Sequence, residues 1–356
     1  MSDELLGLRK EIDRLDAEIL IRLAERARNA VRIGEIKQGV NIYRPEREAQ
    51  VLERLGEMNP GPLTARAVQH IFREIMSACL SLEQPLKIAH LGPSGTFSES
   101  AARKHFGTAP WLSALPTVDD VFREVQSRRA SYGVVPVENS TEGAVGGTLD
   151  LLLSSPLKIS GEINLRIHQH LMSQAEDTSA IKRVYSHAQS LAQCHRWLNQ
   201  NQPLLAQVPV VSNAEAARLA AQDREAAAIA GEAASLHYGL NILASNIEDD
   251  LNNTTRFVVI GDHDAAQPTG KDKTSLVCAA VNTPGAMYAL LEPFVRYHVD
   301  LSRLQSRPAR GKLWEYVFFI DFKGHQMDDN VKKALQELEQ RAAVVKILGS
   351  YPAAVI

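Results

Sequence analysis

The chain opens with apolar residues at helical spacing. Over residues 3–38 there is no proline, and Leu8, Ile12, Leu15 and Ile19 recur at intervals of four and three, which predicts a long amphipathic helix. Roughly 36 residues at ~1.5 Å each would span ~54 Å, more than a compact small domain. We therefore expect the apolar stripe of this helix to pack on another protomer.

Two further helices are predicted before residue 85. The Gly-Val-Asn stretch at 39–41 should end the first helix, and Pro45 suits the first turn of the second. An Asn/Pro/Gly cluster at 59–62 should end that helix before a third over about 64–82. Residues 1–85 are therefore predicted to form an all-α helical domain.

After residue 85 the pattern becomes an alternation of strand, loop and helix. LKIAHLG predicts a buried strand, followed by a Gly/Ser/Thr loop at 92–98 and a helix. The alternation returns around SYGVVPVEN, IKRVYSH, AAAIAGEAA and TRFVVIG. It predicts an α/β domain over 86–264. The polar stretch 263–272 is predicted to be a linker.

The C-terminal segment 272–356 has a third pattern, in the order βαββαβ. The predicted elements are a strand at 274–281, a helix at 285–297, strands around 301–305 and 315–322, a helix at 328–340 and a strand at 343–348. This order is that of the ferredoxin-like α+β fold. The chain is therefore predicted to be multidomain.

Composition narrows the class of protein. With 45% hydrophobic and 23% charged residues and a net charge of -3, the chain has an average globular composition and gives no electrostatic reason to expect nucleic acid. The odd number of cysteines lacks CxxC or metal-ligand spacing, which predicts a reducing compartment and no metal. No run approaches ~18 apolar residues, so we expect no membrane span and a cytoplasmic protein.

The helical segment carries cations in a defined arrangement. Arg26 and Lys37 are eleven residues apart and face nearly the same side of an ideal helix. Arg9 precedes Arg26 by seventeen residues and is rotated by roughly 100°, so it is better placed to serve a neighbouring chain. Spacing alone leaves two interpretations, a site for a dianion or solvated helix-surface ion pairs.

Four strings cover most of this segment: LRKEIDRLD, LAERARNAVRIGEIK, YRPEREAQVLERL and IFREIMSACLSLEQ. Together they resemble the helical chorismate mutase family over residues 5–84. The resemblance implies a Claisen rearrangement of chorismate to prephenate, which needs no nucleophile or cofactor, only a held conformer and a stabilised ether oxygen. It also implies a homo-oligomer, a dimer or higher, with shared sites, in which Arg9 comes from the other protomer.

The resemblance also assigns roles within one chain. Arg26 and Arg47 would hold the substrate carboxylates, and Glu48 would bind the ring hydroxyl. Lys37 and Glu83 would flank the breaking ether, where Glu83 must act in its protonated form. Several members of the family carry Gln at the position of Glu83.

Four strings in the α/β segment are predicted to lie at strand ends. They are GPSGTFSE at 92–99, VVPVENSTEG at 134–143, YSHAQSLAQC at 185–194 and NNTTRFVV at 252–259. Strand-end loops are where α/β domains gather ligands, and a helix after the first loop would present its N-terminus to a carboxylate. Thr96 and Ser98 of that loop are therefore candidate substrate-binding residues. Any one string alone is more often a capped turn.

In this order the four strings resemble prephenate dehydratase over about 86–262. The resemblance implies a two-lobed, periplasmic-binding-protein-like fold, substrate in the interlobe cleft, and conversion of prephenate to phenylpyruvate without a cofactor. It places Asn139, Ser186, Gln193 and Thr255 in the cleft, with the Thr255 hydroxyl donating to the departing oxygen. Arg256, the adjacent cation, is predicted to bind substrate.

Three other polar groups in these strings favour a structural interpretation. Glu138 and Glu142 lie beside Asn and Ser, where loop carboxylates more often cap turns than catalyse. His187 is a lone histidine in a strand-end loop, without a second His or Cys at ligand spacing. We expect none of the three to carry the chemistry.

In the C-terminal segment, NTPGAM at 282–287 and LQSRP at 304–308 resemble the ACT domain of prephenate dehydratases. This chain has Met287 where the family usually has Leu, and Gln305 where it usually has Glu. The implied L-phenylalanine-binding residues are Gly285, Ala286, Met287, Ser306, Arg307 and Pro308. A purely structural βαββαβ domain is the alternative.

Taken together, the resemblances predict an enzyme that makes prephenate in the helical domain and phenylpyruvate in the α/β domain, inhibited by phenylalanine. Two rivals remain. One is a non-catalytic sensor of aromatic metabolites. The other is a dehydratase whose helical segment serves only dimerisation.

Overall fold

The computed structural model describes residues 3–37, 43–280, 283–308 and 316–354. The chain divides into two compact units. One comprises Met1–Leu86 and Phe106–Trp111, and the other comprises Lys87–His105 and Leu112–Ile356. The predicted α/β and C-terminal segments therefore lie together in the second unit.

The first unit contains the three predicted helices. They are α1 (Asp3–Lys37), α2 (Pro45–Glu57) and α3 (Ala65–Glu83). Pro45 occupies the first turn of α2, and the Thr64 side chain caps α3 by accepting from the N–H of Ala67, as these residue types favour. The predicted break at 39–41 lies outside the described residues.

Helix α1 differs along its length. Near its C-terminal end Ala30 is buried, and a Cβ at Gly34 would lie 3.1 Å from the Cβ of Glu83, so α1 packs tightly on α3 there. The apolar stripe of its N-terminal half is exposed in the single chain, at Leu8, Ile12, Leu15 and Ile19. An exposed apolar stripe of this length is typical of interaction surfaces.

The second unit alternates strands and helices. In chain order its elements are β1 (Lys87–Leu91), α4 (Phe97–Phe106), β2 (Trp111–Leu115), α5 (Val118–Gln126), β3 (Tyr132–Asn139), β4 (Gly143–Ala144), α6 (Gly146–Ser154), β5 (Lys158–Arg166), β6 (His170–Ser173), β7 (Arg183–His187), α7 (Ala188–Gln193), α8 (His195–Asn201), β8 (Ala206–Val210), α9 (Asn213–Ala220), β9 (Ala226–Ala230), α10 (Glu232–Tyr238), β10 (Asn241–Ala244), β11 (Thr254–Gly261), β12 (Asp272–Ala279), α11 (Ala286–Arg296), β13 (Leu301–Pro308), β14 (Tyr316–Lys323), α12 (Asp329–Arg341) and β15 (Val344–Pro352).

Two of its sheets form the two predicted lobes. The first lobe has the strand order β2-β1-β3-β11-β5, with β4 beside β3, and the second has β10-β6-β9-β7-β8. Val135 and Val258 are buried in the core of the first lobe, and Val184 and Ile229 in that of the second. Two crossings of the chain, between β5 and β6 and between β10 and β11, join the lobes. The two-lobed prediction is confirmed.

The C-terminal module has the predicted ferredoxin-like fold. Its sheet order is β13-β14-β12-β15, with α11 and α12 packed on it. Its core includes Leu276, Phe294, Ile320 and Leu338. The predicted strand residues at 281 and 315, and residue 282 of the predicted turn, lie outside the described residues.

The C-terminal module packs closely on the first lobe. A Cβ at Gly349 of β15 would lie 2.1 Å from the carbonyl oxygen of Ile159 in β5, a space that only glycine leaves open. Beside it, the Lys346 ammonium donates to the carbonyl oxygens of Leu152 and Ser155 at 2.9 and 2.6 Å. These carbonyls end α6, and a cation at a helix C-terminus is stabilising.

The predicted linker 263–272 is itself packed. Ala265 is buried, and its N–H donates to the Ser350 carbonyl at 3.0 Å. Its own carbonyl lies 3.1 Å from His325 Nε2, which must therefore carry the proton. These bonds fasten the connection to the module.

Candidate active sites

The candidate site of the helical unit lies where the C-terminal ends of α1 and α3 meet. Lys37 Nζ lies 3.9 Å from Glu83 Oε2, which is too long for a hydrogen bond. Glu83 Oε2 is buried and has no hydrogen-bond partner among the described residues. Burial raises the pKa of Glu83 above its ordinary value, while the charges of Lys37 and Arg26 lower it by less. The pKa of Glu83 is therefore shifted towards the protonated form relative to a free glutamate, a direction that the sequence left open.

A second carboxyl group of this unit also has a perturbed pKa. Burial raises the pKa of Glu48 on α2 to about 7, against the opposing charge of Arg73. Arg73 Nε on α3 lies 3.7 Å from Glu48 Oε1. Sequence reasoning missed Arg73, because its partner lies on a different helix. Arg47, the neighbour of Glu48, is exposed.

Arg9 lies far from these groups in its own chain. It is exposed on α1, seventeen residues before Arg26, which at ~1.5 Å per residue separates their Cα atoms by ~25 Å along the helix axis. The structure therefore brings Arg26, Lys37 and Glu83 together and leaves Arg9 outside their reach.

In the second unit, Asn139 and Thr255 form a pair on neighbouring strands. They are directly opposite each other in the register of β3 and β11, and Asn139 Nδ2 donates to Thr255 Oγ1 at 2.8 Å. The direction of this bond follows from the other end of the amide. Asn139 Oδ1 accepts from the backbone N–H groups of Thr141 and Glu142 at 3.1 and 3.2 Å, so Nδ2 must face Thr255.

This orientation determines what Thr255 can do. Because its oxygen accepts from Asn139, its own hydroxyl proton remains available, and no described residue takes that proton. Thr255 is only partly buried, at the start of β11. It can therefore donate a hydrogen bond to a bound molecule.

Gln193 reaches the same cluster from the second lobe. Its Nε2 donates to Thr141 Oγ1 at 3.2 Å, and its Oε1 accepts from Asn253 Nδ2 at 3.2 Å. Three of the four predicted cleft residues thus share one network. Sequence reasoning missed Asn253 and Thr141, although both stand inside the quoted strings, because those strings do not show which side chains meet.

Ser186 lies in a different network. Its hydroxyl, fully buried in the second lobe, is 2.8 Å from the Ile229 carbonyl and 3.0 Å from Asn213 Oδ1. Asn213 in turn donates to Ser190 at 2.9 Å. No described hydrogen bond joins Ser186 to Thr255, so its role stays a prediction.

The loop after β1 holds the two other predicted substrate-binding residues. Thr96 Oγ1 donates inward to the Leu91 carbonyl at 3.1 Å, and Ser98 is buried. A Cβ at Gly95 would lie 3.1 Å from Ala234, so this loop of the first lobe lies against the second. Both residues stay predictions.

Arg256 does not bind substrate in the cleft, and that prediction is wrong. Successive strand residues point to opposite faces, so Arg256 faces away from Thr255. Its guanidinium is largely buried, and each of its three nitrogens donates one hydrogen bond, to Glu162 at 2.8 Å, Asp321 at 2.5 Å and the Tyr351 hydroxyl at 2.9 Å. It therefore ties the first lobe to the C-terminal module.

Glu138 and His187 have structural contacts, in agreement with the structural interpretation. Arg303 Nε of the C-terminal module lies 2.9 Å from Glu138 Oε2. The His187 ring caps α7 by accepting from the N–H of Gln189 at 3.4 Å.

The predicted regulatory residues fall at two edges of the C-terminal module. Gly285, with φ of 81°, precedes α11, which Ala286 and Met287 begin. Ser306, Arg307 and Pro308 end β13. Arg307 lies 3.3 Å from Asp150 Oδ1 on α6, so it contacts the first lobe. Their role in binding phenylalanine is not tested by these contacts.

No three His, Cys, Asp or Glu side chains within the described ranges are grouped as a metal site requires. No helix within them is long and apolar enough to cross a membrane.

Three family models match successive parts of the chain. Chorismate mutase type II matches residues 8–84, prephenate dehydratase matches 88–265 and the ACT domain matches 274–340. Two curated relatives described as bifunctional chorismate mutase/prephenate dehydratase match nearly end to end. The protein from Neisseria gonorrhoeae is 51% identical over 358 residues, and that from Pseudomonas aeruginosa is 48% identical over 362, each with 99% of both chains covered.

A solved structure supports the same assignment for the second unit. Prephenate dehydratase from Arthrobacter aurescens, in complex with L-Phe, superposes with a TM-score of 0.70 at 34% identity, covering 75% of this chain and 90% of that one. With three family models in order and relatives matched over almost their whole length, the chain belongs to the family of bifunctional chorismate mutase/prephenate dehydratases.

Proposed function

We propose that the helical unit rearranges chorismate to prephenate and that the second unit converts prephenate to phenylpyruvate. In the helical unit, Arg26 and Arg47 hold the carboxylates of chorismate, and Glu48 binds its ring hydroxyl. Lys37 and protonated Glu83 donate to the ether oxygen as its bond to the ring breaks. The buried Oε2 of Glu83, which has no hydrogen-bond partner among the described residues and lies 3.9 Å from Lys37 Nζ, supports this arrangement.

Arg9 completes the site of a second protomer. The ~25 Å between Arg9 and Arg26 along α1 argues against a shared site within one chain, and the exposed apolar stripe of α1 offers the surface for a homo-oligomer. A dimer with two-fold symmetry would place each Arg9 at the partner's site reciprocally.

In the second unit, Thr255 is the proton donor. The carboxylate of prephenate leaves as carbon dioxide, its bonding electrons move into the ring, and the ring C–O bond breaks. The departing oxygen takes the Thr255 proton and leaves as water, and Thr255 regains a proton from solvent. The observation that carries this assignment is the Asn139 bond, which occupies the Thr255 oxygen as an acceptor and leaves its proton available.

The two alternative functions, a non-catalytic sensor and a dehydratase with a helical segment that serves only dimerisation, fit these observations less well. A non-catalytic sensor does not require a hydroxyl donor with an available proton in the cleft, which Thr255 supplies. A helical segment that serves only dimerisation does not require a carboxyl oxygen that is buried beside a lysine without a hydrogen bond from the described part of the chain, as Glu83 Oε2 is beside Lys37.

Phenylalanine acts through the C-terminal module. The L-Phe complex of the Arthrobacter aurescens protein supports this ligand. The module contacts the residues next to Asn139 and Thr255, because Arg303 pairs with Glu138 and Asp321 pairs with Arg256. The three cysteines are free and buried, which supports the reducing compartment expected from their number.

Two variants, each expected to lose one activity and keep the other, test both assignments in the full-length protein. With chorismate as substrate, Thr255→Ala should accumulate prephenate and lose phenylpyruvate formation by about 10²-fold or more, as expected for a missing proton donor. Arg26→Ala should fail to consume chorismate but convert added prephenate at the wild-type rate. Thr255→Ser should restore part of the dehydratase rate.

The measurement is prephenate and phenylpyruvate quantified separately, with and without phenylalanine. Near-normal phenylpyruvate formation by Thr255→Ala would contradict the assignment of the donor. Loss of both activities in either variant would contradict the separation of the two sites.

A further inference from the structure

We infer that Asn253 is a positioning residue for the dehydration, because it fixes which end of the Gln193 amide faces the cleft. This inference rests on the proposed dehydratase activity. Asn253 precedes β11, in the second crossing between the lobes, and is 2% exposed. Its backbone carbonyl accepts from the Ile167 N–H at 2.9 Å, which anchors it to the other crossing.

The Asn253 side chain joins the two lobes. Its Oδ1 accepts from Asn139 Nδ2 at 2.9 Å, on the side of the first lobe. Its Nδ2 donates to Gln193 Oε1 at 3.2 Å, on the side of the second lobe. Both ends of one buried amide are therefore used, and neither touches the Thr255 hydroxyl directly.

The side-chain amides of Asn139, Asn253 and Gln193 are hydrogen-bonded in series, and the direction of donation along the series is set at Asn139. Two backbone N–H groups, those of Thr141 and Glu142, face Asn139 Oδ1 and cannot act as acceptors. Asn139 must therefore present its NH₂ to Asn253, and Asn253 must present its own NH₂ to Gln193. Each amide has one donor end and one acceptor end, so no member can flip alone without placing two donors or two acceptors face to face.

The consequence appears at Gln193. With its oxygen held by Asn253, Gln193 turns its NH₂ toward Thr141 Oγ1, and one of the two N–H groups remains for a ligand. A donor at this position suits prephenate, which carries two carboxylates and a departing hydroxyl. An oxygen in its place would repel them.

Asn253→Asp tests the polarity with little change in shape. A carboxylate keeps the acceptor for Asn139 but offers Gln193 no donor, so Gln193 turns its oxygen to the cleft. We expect the dehydratase kcat to fall by about 10²-fold, as for a misplaced positioning group, with KM for prephenate changed less than kcat. Asn252→Asp, the same change at the exposed neighbouring residue, should leave kcat unchanged.

Asn253→Ser removes both bonds without adding charge and provides a second variant should Asn253→Asp fail to fold. Thermal unfolding of each variant checks that the second unit is intact. A loss of kcat that appears only in variants with a collapsed unfolding midpoint would overturn the inference, as would a wild-type kcat in a folded Asn253→Asp or Asn253→Ser protein.

A double-mutant cycle separates positioning from a general structural effect. In a Gln193→Leu background the amide to be oriented is gone, so Asn253→Asp should cost much less than in the wild type. Equal fold losses in both backgrounds would show that Asn253 does not act through Gln193. If the wild-type protein makes no phenylpyruvate from prephenate, the proposed function fails. If the wild-type protein is active and the folded Asn253 variants have the same kcat, only the inference about Asn253 fails.

Discussion

At the scale of single residues, the proposed role of Glu83 as a donor to the ether oxygen makes its carboxyl group the one expected to set the pH response of the mutase. Ionised, it would repel the negative charge that grows on the ether oxygen, so the protonated form must be the active one. Burial raises its pKa, and Lys37 and Arg26 oppose this without reversing it. Two carboxylates of bound chorismate would raise the pKa further, since like charges disfavour ionisation.

We therefore predict that mutase kcat/KM falls as pH rises through the raised pKa of Glu83. Glu83→Gln offers an N–H donor at every pH and should give a flat profile with activity retained at alkaline pH. The measurement is a pair of pH-rate profiles, with the dehydratase profile of the same protein as a control.

Glu48 is the other group that could cause a decline in mutase activity with rising pH, because burial raises its pKa to about 7. A Glu83→Gln protein that keeps the alkaline decline would assign the decline to Glu48 instead. Glu48→Gln then supplies the complementary profile, which should keep the decline if Glu83 is the titrating donor.

The error at Arg256 and the omission of Asn253 have different physical origins. Strand alternation in TRFVVIG already places Thr255 and Arg256 on opposite faces, so the sequence contained the signal that Arg256 leaves the cleft. Nothing comparable marks Asn253, since its partners Asn139 and Gln193 come from other parts of the chain. Pairing between distant polar side chains needs coordinates.

At the scale of elements, α1 serves two different purposes along its length. Its C-terminal part packs on α3 and carries Arg26 and Lys37 to Glu83. Its N-terminal part carries Arg9 and an uncovered apolar stripe. The four-three spacing was enough to predict the helix and its stripe, because helical periodicity is local. The partner of the stripe is not encoded locally.

The division of α1 predicts subunit complementation. Arg9→Ala and Arg26→Ala should each lack mutase activity alone, but mixing them with subunit exchange should recover up to about a quarter of wild-type activity, since half of randomly formed dimers are hybrids with one intact site. Arg14→Ala, which removes an exposed arginine that pairs with Glu11 and Glu18 within α1, should remain active as a matched control.

Exchange is followed by mass spectrometry of differently labelled chains, and activity by chorismate consumption. No recovery despite complete exchange would mean that Arg9 does not complete a neighbour's site.

At the scale of the second unit as a whole, the C-terminal module lies on the face of the first lobe that is opposite the Thr255 pair. Paired positions on neighbouring strands share a face, and the pair Glu138 and Arg256 binds Arg303 and Asp321 of the module. The two residues that contact the module are therefore the sequence neighbours of Asn139 and Thr255. The βαββαβ order was readable from the sequence, but this docking was not.

This contact predicts how inhibition can be weakened without harming catalysis. Arg303→Gln removes the ion pair with the partly exposed Glu138 and leaves no buried charge, so the basal dehydratase rate should stay near normal. Phenylalanine should inhibit several-fold less strongly, because the module loses its ion pair with β3. Inhibition curves for phenylpyruvate formation measure this.

Arg296→Gln is the matched control, because Arg296 of α11 pairs with Glu292 and Glu337 inside the module. It makes the same change of charge and should leave inhibition unchanged. Equal phenylalanine sensitivity in wild type and Arg303→Gln would exclude this contact from the regulation.

The missing side chain at Gly349 limits how the C-terminal module can be exchanged with that of another protein. Because β15 passes so close to the Ile159 carbonyl, a chimera that took β15 from one parent and β5 from another would fit only if the incoming strand also carried glycine there. Any larger residue would lift the grafted module off its host, and Arg256 would lose Asp321 and Tyr351 with it. For recombination or engineering, a C-terminal module can therefore be exchanged only if its β15 carries glycine at this position.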